Sequence, residues 1–182
     1  ESLTSLEGLN NLTSIGFGLM ISNMPLSDAS GLSGLADVGS GGIRVSGSSM
    51  LLTNLDWLSG VTGPIQDLQV FNMQHLIDIS GLAGITEISR DVFLSNNDSL
   101  VSLSGLENIS SVGRDLTVSQ SDLLSDCSHI TNLLGAPDGP PNDSVTGVIT
   151  IEQNSTGCNS VAEILNHTVQ ITLLNDGVAG GG

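Results

Sequence analysis

"LVSLSGLENISSVGRDLTVSQ" runs from Leu100 to Gln120, and in its first half every third residue is aliphatic: Leu100, Leu103, Leu106, Ile109 and Val112. Its second half alternates instead, with Leu116 and Val118 set among polar residues, the two-residue period of a half-buried strand. The spaced half has a near-helical recurrence, but Gly, Ser and Asn interrupt it. Each costs a helix about 0.5–1 kcal/mol relative to Ala, so short strands and tight corners are expected there.

Working outward, the same sentence recurs. It appears as "LTSLEGLNNLTSIGFGLMISN" from Leu3, "LSDASGLSGLADVGSGGIRVSG" from Leu26, "LTNLDWLSGVTGPIQDLQVFN" from Leu52 and "LIDISGLAGITEISRDVFLSN" from Leu76. A sixth unit opens at Leu124, swells through "GAPDGPPNDSVTG" and recovers at "VITIEQ"; a degenerate seventh begins at Cys158. The starting leucines lie 23, 26, 24, 24 and 24 residues apart. A period of about 24 predicts an all-β solenoid of about seven coils, each burying its aliphatic row against its neighbours. The pairs Leu19/Ile21, Ile43/Val45, Leu68/Val70, Val92/Leu94, Leu116/Val118, Ile149/Ile151 and Ile171/Leu173 should point inward.

Residues 1–177 read as one solenoid domain, regular over 3–123 and irregular, with a cap, over 124–177; residues 178–182 read as a Gly-rich tail. A further column, Asn23, Gly47, Asn72, Asn96, Gln120, Gln153 and Asn175, follows the alternating strands and is expected to form an Asn/Gln ladder that satisfies corner backbone groups.

Three Arg, no Lys and nineteen acidic residues give a net charge of −16, which argues against nucleic acid and anionic membrane surfaces as partners. No apolar run approaches the roughly 20 residues that span a bilayer. Cys127 and Cys158 allow one disulfide, joining consecutive coils. Asn-x-Ser/Thr sequons occur at Asn11, Asn97, Asn108, Asn142, Asn154 and Asn166 and, with that disulfide, favour a secreted or cell-surface glycoprotein.

Chemistry finds little foothold. His75, His129 and His167 have no metal-ligand spacing, and there is no paired C-x-x-C or G-x-S-x-G elbow, so no catalytic, cofactor or metal residue is assigned and no enzyme is expected. Gln66-Asp67, Arg90-Asp91 and Arg114-Asp115 should stack on consecutive coils as a charge-paired corner; unpaired carboxylates there would instead repel or recruit Ca²⁺. The outward column Met20, Arg44, Gln69, Phe93, Thr117, Thr150 and Thr172 is too irregular for an ice-binding face. It does expose Phe93, and nearby Phe71, as interaction candidates. Trp57 replaces the Gly of other units and is expected to point outward, as a contact anchor or a plug under its coil.

The pattern L-x-S-L-x-G-L-x-x-I-x-x-V-x-x-x-L-x-I-x-N-N, clearest over residues 76–123, resembles the receptor L-domain, a right-handed β-solenoid related to leucine-rich repeats. The likeness covers 3–123 well and 124–175 loosely, and it is nearest to fungal cell-wall glycoproteins of the sporulation-protein type. It implies a fold and an extracellular setting. Two roles follow: a structural segment of a surface or filamentous assembly, contacting itself or an adjoining domain through its solenoid ends, or a recognition module binding protein or glycan on a face. Leu3, Leu6, Leu9, Leu12, Ile15, Leu19 and Ile21 would line an open edge of the first coil, which favours the structural role.

Overall fold

The structure, a computed structural model, describes residues 3–136 and 144–166. In chain order the strands are β1 (Leu19–Ser22), β2 (Ile43–Ser46), β3 (Gly63–Ile65), β4 (Leu68–Phe71), β5 (Ile85–Ile88), β6 (Val92–Ser95), β7 (Leu116–Ser121) and β8 (Ile149–Asn154). Six of them form one parallel sheet in the order β1-β2-β4-β6-β7-β8, while β3 and β5 pair on another side. The sheet is parallel because each coil brings the chain back in the same direction, one repeat further along. The register follows the alignment of the repeats: Leu19 faces Ile43, which faces Leu68, then Val92, Leu116 and Ile149.

The expected inward pairs are buried from Leu19 to Val118, as is Ile151, whereas Ile149 is half-buried. The coil count is corrected. Only β2, β4, β6 and β7 have strands on both sides, so the regular stack is about four turns between two outer strands, not seven. Ile171 and Leu173 lie outside the described residues, as do Asn175, Thr172, His167 and the tail.

The spaced segment is partly helical in a tighter sense than expected. Short 3₁₀ turns occupy Ser30–Leu32, Asp56–Leu58, Ser80–Leu82 and Ser128–Ile130. Each begins where a side-chain oxygen two residues earlier accepts a backbone N–H: Ser30 to Asp28 at 2.9 Å, Asp56 to Asn54 at 3.1 Å, Ser80 to Asp78 at 2.7 Å and Ser128 to Asp126 at 3.2 Å. Ser5 and Ser102 serve Glu7 and Ser104 in the same way. Along the stack this column reads Ser5, Asp28, Asn54, Asp78, Ser102, Asp126, so a neutral residue separates every pair of carboxylates. Parallel bridges join Ser5 to Asp28, Asn54 to Asp78 and Ser102 to Asp126.

Two of these carboxyls sit below their ordinary value of 3.8. At Asp28 the cause is chiefly the Ser30 N–H, with help from the Ser30 hydroxyl. Partial burial opposes ionisation of Asp126, but the hydroxyl and N–H of Ser128, the His129 charge and the Ser102 hydroxyl together outweigh it.

Three residues after this column comes the repeat's glycine. A Cβ on Gly31, Gly81 or Gly105 would run into the carbonyl oxygen of Leu6, Leu55 or Ile79 on the preceding coil. Trp57 occupies the same position and is corrected from outward to buried, at 5% exposure within the aliphatic core. It fits because the preceding coil stands off there. A cavity of about 370 Å³ opens between residues 27–33 and 52–57, with Trp57 in its wall. The indole N–H is buried without an acceptor among the described residues.

The Asn/Gln column has a backbone cause. Asn23, Asn72, Asn96, Gln120 and Gln153 have φ between 52° and 57°, and Gly47 has φ 136°, so this column is where each strand turns its corner through left-handed backbone. Only one amide-to-amide rung is formed among the described residues, Asn96 Nδ2 to Asn72 Oδ1 at 2.7 Å. The continuous polar ladder lies one residue further on and inside. The N–H of Met73 donates to Asn97 Oδ1 at 3.1 Å, that of Asn97 to Ser121 Oγ at 3.3 Å, and that of Ser121 to Asn154 Oδ1 at 3.2 Å. The amide nitrogens of Asn97 and Asn154 donate in turn to the Val70 and Val118 carbonyls, both at 2.9 Å.

The ends differ. At the far end the Cys127–Cys158 disulfide ties the sixth unit to the chain after β8, with Cα atoms 5.5 Å apart, and residues 161–166 are helical with Ile164 buried. Cys127 takes the inward place held by Ala29, Leu55, Ile79 and Leu103, so its sulfur bond replaces an aliphatic contact between coils. At the near end Leu3, Leu9, Phe17 and Met20 are exposed, and Leu6, Leu12 and Ile15 are only partly covered.

Candidate functional site

Strand alternation puts two rows of side chains on the outer face of the six-stranded sheet. One row is Met20, Arg44, Gln69, Phe93, Thr117 and Thr150; the next is Ser22, Ser46, Phe71, Ser95, Ser119 and Glu152. Phe71 lies in register between Ser46 and Ser95, which are both buried. The Phe71 and Phe93 rings meet edge to face, with centroids 5.6 Å apart and planes at 77°. The Arg44 guanidinium lies over the Phe71 ring, 4.8 Å from its centroid, and its Nη1 donates to Gln69 Oε1 at 3.4 Å.

Beside this cluster runs the charged corner that precedes the strands. Arg90 pairs with Asp67 and Arg114 with Asp91, each at 3.4 Å, and Arg90 also lies 4.0 Å from Asp91. The paired reading of the corner therefore applies to Asp67 and Asp91. Asp115 instead accepts the Val148 N–H at 2.8 Å. Between corner and rings lies a groove of about 300 Å³, into which Arg44, Gln69, Phe71, Phe93, Arg114 and Thr117 converge.

All the chain's Lys and Arg residues are in this region. The three arginines balance Asp67, Asp91 and Asp115, leaving the other sixteen of the nineteen acidic residues with no Lys or Arg elsewhere. The groove, lined by Arg44 and Arg114 against Asp91 and Asp115, is thus charge-balanced on an otherwise acidic molecule.

Of the predicted interaction residues, Phe71 and Phe93 are brought together; Trp57 is in the core and does not join them. Arg44 completes the cluster, 27 positions before Phe71; the outward column that holds Phe93 already included it, but not as an interaction residue. The sequons divide. Asn11, Asn108 and Asn166 are exposed, Asn142 lies outside the described residues, and Asn97 and Asn154 are corrected from glycan acceptors to rungs of the inner ladder. Asn97 is fully buried. His75 is exposed, while His129 Nδ1 lies 3.8 Å from Asp126. Among the described residues no group of three or more His, Cys, Asp and Glu is placed to hold a metal, and no helix is long and apolar enough to cross a membrane. No family model, curated protein or solved structure matches the chain.

Proposed function

We propose that this chain is a non-enzymatic extracellular glycoprotein with a right-handed, receptor L-domain-like solenoid, serving as a structural segment of a surface assembly. The observation that carries this reading is the first coil. Leu3 and Leu9, of its aliphatic edge row, are 53% and 42% exposed, and among the described residues no strand pairs with the outer side of β1. Such an edge is a template for another layer, whether an adjoining segment or a second copy supplies it. The disulfide supports an oxidising compartment.

Scattering and electron microscopy of the intact secreted protein test the reading, together with hydrogen exchange of residues 3–22. Ordered assemblies in which β1 exchanges slowly are expected; a stable monomer whose first coil exchanges freely would overturn it. A second reading, a recognition module, is favoured by the Phe71, Phe93 and Arg44 cluster.

A further inference from the structure

We infer that the groove on the sheet face is a binding site for a neutral polysaccharide chain. The inference rests on the recognition reading above and names its ligand class. Its groove has the volume of a small-ligand site, with aromatic walls and a few convergent polar groups. A protein partner would ordinarily need about 800 Å² of surface, far more than this narrow feature offers.

The polar groups are of a particular kind. Guanidinium, carboxylate, amide and hydroxyl ends surround the rings: Arg44, Arg114, Asp91, Asp115, Gln69 and Thr117. Part of that capacity is used internally, by Arg44 on Gln69, by Arg114 on Asp91 and by Asp115 on the Val148 N–H, and what remains includes both donors and acceptors, which suits a ligand whose hydroxyls do both. The exposed Phe93 ring offers an electron-rich face to the weakly positive C–H groups of a sugar ring.

Charge selects within the saccharides. Because the arginines are balanced by aspartates and the rest of the surface is acidic, a uronate or sulfated chain would be repelled, and a neutral one would not. Its lining residues come from or just before β2, β4, β6 and β7, so the groove crosses four adjacent strands, about 14 Å at the interstrand spacing, a length that suits successive sugar units.

The experiment is NMR titration of the intact protein with hexamers of β-1,3-glucan, cellulose and chitin, with Phe93→Ala and Arg44→Ala as variants. Both side chains are exposed, so thermal melts matching the parent establish that the variants fold. At least one hexamer should shift resonances of β4, β6 and β7, with affinity at least tenfold weaker in each variant and changed less than twofold between 50 and 500 mM salt. Absence of binding to all three, or binding that ignores both substitutions, would overturn the saccharide assignment. If the hexamers fail while Phe93→Ala abolishes capture of a purified protein ligand, the recognition reading stands and only the ligand class falls.

Discussion

The backbone N–H of Met73 is held at 3.1 Å by the side-chain oxygen of Asn97, a residue one coil later, and both residues are fully buried. That bond turns a sequence that reads as a glycan acceptor into a structural rung.

Asn97→Ala would strand the Met73 N–H and remove one bond from the Val70 carbonyl. Leaving a buried group unpaired costs about 1–3 kcal/mol, and a loss of that size in urea unfolding is expected. Peptide mapping of folded protein secreted from a eukaryotic host should find glycan at Asn11 and none at Asn97 or Asn154.

The repeat's glycine is equally open to test. Gly81→Ala drives a methyl into the Leu55 carbonyl and should lower stability by about 1–3 kcal/mol. Gly16, where a methyl would meet nothing within 4 Å, provides the comparison, and Gly16→Ala should stay within about 0.5 kcal/mol of the parent.

Acid should loosen the capped turns. The Asp28 and Asp126 carboxyls are held below 3.8 in the folded chain, so what they contribute is complete above that value and is lost as pH falls through their lower folded values. Ser102→Asp reverses the dependence. It places a third carboxylate between Asp78 and Asp126, at a repulsion of about 1 kcal/mol per neighbour for an interstrand spacing of about 4.8 Å in water. That penalty should be present at neutral pH and fade as the carboxylates take up protons in acid. Urea midpoints measured from pH 7 down to pH 2.5 in both proteins check the two opposite slopes.

Trp57 separates shape from polarity. Trp57→Phe keeps most of the apolar bulk and removes an N–H that has no acceptor, so stability should change by less than about 1 kcal/mol in either direction. Trp57→Ala extends the neighbouring cavity and should cost about 3–5 kcal/mol by thermal unfolding.

These sites also mark how far the chain could be read without coordinates. The inward column from Leu19 to Val118 was legible because a strand's period of two leaves no freedom once one member is assigned. The coil count was not, since a 24-residue beat counts sentences and says nothing about which strands find two neighbours. The 3₁₀ turns were missed because Leu-x-x-Leu spacing is shared by turns, short strands and helices; the signal that could have found them was Asp, Asn or Ser two residues before each turn. Trp57 was placed outward by analogy with glycines whose neighbours are close, whereas its own neighbour stands away. The Asn23-to-Gln153 column was recognised but explained by side chains, when the left-handed backbone is the stronger demand. Phe71 and Phe93 were legible singly; their union with Arg44 needed the register.

The disulfide at one end and the uncovered first coil at the other make the molecule directional under load. Each coil is bonded only to the coils beside it, so tension applied to the near end would peel β1 from β2 before anything deeper moved. Each peeled coil would release roughly 80 Å of extended chain, at about 3.4 Å per residue over a 24-residue repeat. The Cys127–Cys158 bond would stop the run. Such a body would lengthen coil by coil from one end, and the covalent bond at the other would set how far it can extend.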